Sequence, residues 1–361
     1  MKFGTTKEQE SDRQNWLKTH KPKAYEKIIK YPERVKNGES IAIIQFQYDY
    51  ACNFRCEHCC ISKFQRPRKV ERASGQQFFD LPSVKKLADE AHDMGLGNFV
   101  ITGGEPLAFG DLDGLIAAID PSRFFLAIDT NGWLLDLPMA KRLKKLGVDK
   151  VQLSLDGLDA FDHDAFRRKD GSWAACMTAI NACQLADLHV ILSTVMWKDR
   201  VHSQEFIDYL EWAKEAEIGT YVTFAKPVGA YEGNFDAVLD EEDEAHIATL
   251  SEKYDVFTHM TPSYGLDLGC IAVKRMVSIT RYGDVMPCPY THVSLGNVFK
   301  EPLRDIIERG LNNRWFAYGK KYGCLAGVKG EFIDNVITKT YGKELPVPYD
   351  EIFTAEDEVD G

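Results

Sequence analysis

Four of the nine cysteines in this 361-residue chain crowd into one decapeptide, ACNFRCEHCC (51–60), where Cys52, Cys56 and Cys59 keep the spacing C-x3-C-x2-C. Three neighbouring thiolates can bind three irons of a [4Fe-4S] cluster and leave the fourth open to another ligand. A zinc knuckle also uses short Cys spacing, and His58 could complete one. Zinc sites usually pair one Cys-x2-Cys with a second pair elsewhere, so three thiols in one loop favour the cluster. Cys60 falls outside the spacing and reads as a buried thiol that faces another way.

Such a loop needs a rigid support. IAIIQFQYDY (41–50) reads as a buried strand running straight into it, which puts the thiols at a strand's carboxyl end, where parallel sheets keep their active sites. Asp80, Pro82, the apolar stripe Val84, Leu87, Ala88, Ala91 and Met94, then Gly95 give a helix its start, face and stop. Strands at 98–102, 124–130, 149–155, 189–195 and 220–225 alternate with further helices, which makes six strands with helices between them. That alternation specifies a parallel sheet with right-handed crossovers, as an open doubly wound sheet or a curved partial barrel.

The second strand ends in TGGEP (102–106), the third in TNG (130–132) and the fourth in SLDG (154–157). With the cysteine triad, TGGEP at this strand resembles the radical SAM superfamily, whose C-x3-C-x2-C follows strand one. The resemblance implies an α/β fold, a (βα)6 partial TIM barrel with a small C-terminal auxiliary-cluster module. It also implies that Cys52, Cys56 and Cys59 hold a [4Fe-4S] cluster whose open iron takes the amino and carboxylate groups of S-adenosylmethionine. One electron then splits S-adenosylmethionine into methionine and a 5′-deoxyadenosyl radical that abstracts hydrogen. Gly103, Gly104 and Glu105 would hold the methionyl ammonium. Asn131, Ser154 and Asp156 would serve the carboxylate and ribose, with Arg168 and Ser193 as weaker candidates. Ile191 or Val195 would lie against adenine, and PVGAY (227–231) would close that pocket.

A second set follows. Cys270, twelve residues, Gly283, four residues and Cys288 surround VSITRYGDVMPC, which alternates about a Tyr-Gly-Asp turn as a β-hairpin does. The spacing resembles the opening of SPASM and twitch modules, and Gly296–Asn297 fits them. Only Cys324 remains to complete it, so the resemblance implies a shortened module with a second, auxiliary [4Fe-4S] cluster on Cys270, Cys288 and Cys324. Its fourth iron would be open or bound by a group such as His292. Cys176 and Cys183 lie seven apart on one predicted helix, within about 20° of each other. Core packing is their plain reading, and hydrogen donation to a substrate radical their catalytic one.

The expected organisation is an N-terminal helical extension (1–40), the barrel (41–235), the auxiliary module (236–345) and an acidic, frayed tail (346–361). A formal charge of −11 argues against a wide basic groove for nucleic acid, with a local patch from Lys63 to Arg72. No apolar run approaches a membrane span and no signal-peptide plan opens the chain, so the cytoplasm is the expected location. The implied partners are S-adenosylmethionine, a peptide or small-molecule substrate, and a flavodoxin- or ferredoxin-type electron donor. Oxidation, epimerisation and cross-linking are all open outcomes. The first 40 residues are too few for a winged-helix leader-binding domain, which keeps a sugar, cyclitol or nucleotide beside the peptide. A zinc- or cluster-binding scaffold or sensor without turnover is the alternative of another class.

Overall fold

The computed structural model describes residues 7–65, 76–319 and 321–359. From residue 66 onward, the basic stretch lies outside them. All six expected strands form: β1 (Ile43–Asp49), β2 (Asn98–Gly103), β3 (Phe125–Thr130), β4 (Lys150–Ser154), β5 (His189–Met196) and β6 (Thr220–Phe224). They pair in parallel, each beside its predecessor, in one sheet of order β7-β6-β5-β4-β3-β2-β1-β8-β9, with β7 at Val256–Phe257, β8 at Met276–Ile279 and β9 at Val285–Met286.

A strand order that never reverses has no switch point. Right-handed crossovers then put every connecting helix on one face, and the twisted sheet curls its other face inward. This decides for the curved partial barrel. Outward side chains such as Ile44, Phe46, Phe99, Ile101, Leu126, Ile128, Val151 and Leu153 join the core under the helices. The alternate positions Gln45, Gln47, Thr102, Asp129, Gln152, Ser154 and Ser193 line the concave side.

The helices follow their punctuation. Asp80 caps Leu81–Asp93 in a reciprocal box with Ser83, and Asp136 caps Leu137–Lys145. Within the barrel, one helix was not expected from the pattern: Ala160–Arg167, capped by Asp159 and ended by Arg168 in the left-handed region (φ 51°). Three N-terminal helices, Lys7–His20, Pro22–Ile28 and Tyr31–Lys36, close the end of the barrel opposite the thiols. There Tyr31 accepts from Gly97 N at 2.7 Å, and Lys21 pairs with Asp149 at 2.5 Å.

The cysteine hairpin forms as expected, β8 antiparallel to β9, and β8 also pairs in parallel with β1. The second cysteine region is therefore continuous with the barrel sheet. Arg281 in the hairpin turn reaches Asp49 at the end of β1, 2.6 Å away. The tail does not fray as expected. Ile352 and Phe353 are buried, Arg314 holds Asp357 at 2.8 Å, and Val359 N donates to Asn312 O. An acidic segment is ordered here because two apolar side chains and one arginine receive it.

Candidate active site

The concave face encloses a cavity of about 260 Å³, lined at the mouth by Cys52, Cys56, Cys59, Gly103, Gly104, Glu105, Asn131 and Ser154. Eight of the expected site residues thus meet in one place. All nine cysteines are free thiols. Burial pushes Cys52 and Cys59 up to about 12, and Cys56 and Cys59 together weigh on Cys52, so the three thiols share one electrostatic site. A thiol so placed gives up its proton to a metal rather than to water. Among the described residues no three Cys, His, Asp or Glu side chains close on one ion-sized point. A four-iron cluster, by contrast, holds its thiolates apart on separate irons. The donor set fits that group, and His58 packs beside it. Its ring stacks on Phe166 at 4.5 Å, and burial with Arg167 nearby pushes it down to about 3, so it is neutral.

The two glycines of TGGEP serve the loop rather than a ligand alone. A Cβ at Gly103 would stand 2.3 Å from Asp49 O, and one at Gly104 2.0 Å from Ala51 O. Their absence lets the end of β2 run against the start of the cysteine loop, where Gly104 N and Glu105 N donate to Asp49 O and Ala51 O at 2.8 Å. Glu105 is buried, which raises its carboxyl to about 7. It accepts from Leu107 N (3.0 Å), Thr130 Oγ1 (2.6 Å) and Asn131 N (2.8 Å), leaving one lone-pair direction for a donor in the cavity. On the far side, Ala230 N donates to Cys59 O at 3.0 Å, and Tyr231 lines the wall, so PVGAY clamps the loop.

Asp156 does not reach the cavity. It accepts from Arg167 Nε at 2.6 Å and from Val195 N at 2.9 Å, and although burial opposes its charge, Arg167 holds it down at about 2. Arg167 is the residue of this pair that lines the wall, with Nη1 3.8 Å from Cys56 Sγ. The weaker candidate Arg168 is only the helix's left-handed terminus. Ser193 and Val195 line the cavity; Ile191 lies on the same face of β5, buried deeper in, and does not line it.

Cys176 and Cys183 are both fully buried in the core, and neither lines the cavity. Cys176 donates to Ser154 O at 3.3 Å behind the strand ends. Their helix turns that face toward the sheet, which places both thiols behind the cavity wall. Cys60, expected to face away, does line the cavity.

The three thiols of the second set lie within electrostatic reach of one another. Cys270 and Cys288 weigh on Cys324, and burial raises the Cys288 and Cys324 thiols, Cys324 to about 12. His292 is not with them: its Nε2 lies 3.2 Å from Pro289 O and its ring meets Phe64 edge-on. Glu244 lies nearer, with Cys324 N donating to Oε1 at 3.4 Å.

Sequence reasoning missed the rest of the polar interior: Gln45, Gln47, Asp129, Lys150, Tyr221, Lys226 and Tyr290. Burial raises Asp129 to about 6 and lowers Lys150 to about 8, while their opposite charges act against both shifts. The signal was available in IIQFQYD, whose polar residues fall on alternate positions.

Residues 49–224 match the Radical SAM superfamily model, and residues 270–325 match the model of an iron-sulfur cluster-binding domain, SPASM. The chain is 25% identical over 322 residues to the AdoMet-dependent heme synthase of Nitratidesulfovibrio vulgaris, covering 81% of this chain and 85% of that one. It is 30% identical over 305 residues to the Fe-coproporphyrin III synthase of Methanosarcina barkeri, covering 84% and 71%. Its fold is similar to that of Streptococcus suis SuiB bound to precursor peptide SuiA, with a TM-score of 0.59 at 17% identity over 78% and 69% of the chains.

Proposed function

The chain belongs to the radical SAM superfamily, and on that premise we propose that Cys52, Cys56 and Cys59 bind the cluster that cleaves S-adenosylmethionine, while Cys270, Cys288 and Cys324 bind an auxiliary one. Held by Cys52, Cys56 and Cys59, that cluster would supply the one-electron chemistry for cleaving S-adenosylmethionine, and with it hydrogen abstraction from a substrate carbon. The observation that carries the reading is the meeting of the triad, the TGGEP strand end and Ser154 on one cavity wall.

The chain's own groups then divide the work. Glu105 fixes the ends of β2 and β3 and offers its remaining lone pair to the methionyl ammonium. Arg167, pinned by Asp156, places a permanent cation beside Cys56 and offsets thiolate charge. Neutral His58, with Phe166 stacked on it, lines that end of the cavity. Further in, Gln45, Asp129 and Lys150 form a polar floor suited to a small polar substrate. Relatives named for heme and Fe-coproporphyrin III synthesis run alongside most of the chain, which supports a small metabolite over a peptide.

Iron counting tests the two-site reading. After anaerobic reconstitution the wild type is expected to hold about eight irons per chain, and the Cys270→Ala/Cys288→Ala/Cys324→Ala variant about four. About four in both would leave the second set without a cluster.

A further inference from the structure

Lys226 is a cation in an unusual place. It follows β6 directly, is 5% exposed, and lines the cavity. Its Nζ donates to Thr223 Oγ1 at 3.0 Å and lies 4.1 Å from the centre of the Tyr290 ring, while Tyr290 Oη sits 3.0 Å from the same Thr223 hydroxyl. Those partners are neutral. Buried ammonium groups normally meet a carboxylate, because leaving water without a counter-charge costs several kcal/mol. Lys226 makes no ion pair with an Asp or Glu among the described residues. Burial works against its charge, and the groups that favour the charge are sulfur: Cys324, Cys288, Cys60 and Cys270. The approach is close, since a Cβ built on Gly327 would touch Cys324 Sγ at 3.1 Å and Lys226 Cε at 3.2 Å. The buried imidazole of His259 is pushed down to about 3 by burial and by Lys226, and adds no second positive charge.

We propose that Lys226 is the built-in counter-charge of the Cys270/Cys288/Cys324 centre, standing between that centre and the substrate cavity and raising the centre's reduction potential. The proposal rests on the auxiliary-cluster reading above. Reduction adds one negative charge to a group already bearing three thiolates. A fixed ammonium in a low-dielectric wall stabilises the reduced form more than the oxidised one. Thr223 and the Tyr290 ring hold the ammonium in position without cancelling its charge. Iron-sulfur potentials respond to net charge and burial, so one buried cation is a sufficient lever.

The test uses the full chain in a Cys52→Ala/Cys56→Ala/Cys59→Ala background, where only the second centre can load, and follows its reduced signal by electron paramagnetic resonance in a redox titration. Lys226→Gln is expected to lower the reduced-to-oxidised ratio about tenfold at a fixed applied potential, which for one electron is about 59 mV. Lys226→Arg is expected to restore the parent ratio, with about four irons per chain in all three proteins. An unchanged ratio in Lys226→Gln at full iron content overturns the proposal. Loss of iron from both Lys226 variants overturns it too, because the side chain would then be packing alone. A parent background that binds no iron removes the second centre itself, a distinct failure that falls on the two-cluster reading.

Discussion

Replacing Arg167 with Leu is expected to destabilise the folded apoprotein by about 3–5 kcal/mol, measured by urea unfolding at pH 7. The cost comes from Asp156, whose side chain is 2% exposed and whose closest counter-charge is the Arg167 guanidinium at 2.5 Å. A carboxylate left in that position keeps only Val195 N as a strong donor. Removing both charges in Asp156→Asn/Arg167→Leu is expected to recover most of the loss, since a buried pair replaced together leaves no orphan. The sign with pH follows from the depressed carboxyl, near 2 folded against about 4 unfolded. The stabilisation is fully present above pH ~4 and is lost as pH falls toward ~2. The gap between wild type and the single variant should shrink over that window. A single variant as stable as wild type at pH 7 would show that the pair does not hold the wall together.

Adding one methyl group at Gly229 is expected to remove the first cluster. Gly229 has φ 65°, and a Cβ there would stand 2.3 Å from Cys59 O and 2.4 Å from Cys60 O. Both atoms are backbone, so the cysteine loop must shift, and the Ala230 N to Cys59 O bond breaks with it. Gly229→Ala should therefore fall from about eight to about four irons per chain and lose about half its absorption near 400 nm. Gly233 is the control. It has φ 79° with nothing within 4 Å of the added carbon, so Gly233→Ala carries the backbone strain of about 1–2 kcal/mol without the clash. It should keep its iron. Equal iron in both variants would mean that PVGAY does not clamp the loop.

The parts of this protein legible in the sequence were those encoded locally. The C-x3-C-x2-C triad, TGGEP, each of the six alternating strands and the hairpin of the second cysteine set lie within short stretches of chain. What escaped depends on side-chain direction. Asp156 was expected to face the ligand and Arg168 was the candidate arginine, but the short helix Ala160–Arg167 rotates Arg167 onto the wall and ties Asp156 behind it. That helix has only eight residues, half of them polar, too few for an apolar stripe to announce it. Cys176 and Cys183 share a helix face, and only the packing of that face on the sheet shows that both are core. His292 and Cys60 exchanged places for a similar reason: the turn after Cys288 points His292 at Phe64, while the loop after Cys59 turns Cys60 inward. The concave polar lining was readable as alternation in β1, yet an apolar, β-branched strand drew attention to its outward half.

The central claim is that Cys52, Cys56 and Cys59 act with S-adenosylmethionine at the mouth of the barrel. The most direct test is formation of 5′-deoxyadenosine by the anaerobically reconstituted full chain supplied with S-adenosylmethionine and a strong reductant. Wild type is expected to release 5′-deoxyadenosine and methionine in equal amounts, and Cys52→Ala/Cys56→Ala/Cys59→Ala to release none above the reductant-only background while keeping its second set of irons. No 5′-deoxyadenosine from an iron-loaded wild type, or equal amounts from both proteins, would contradict the account.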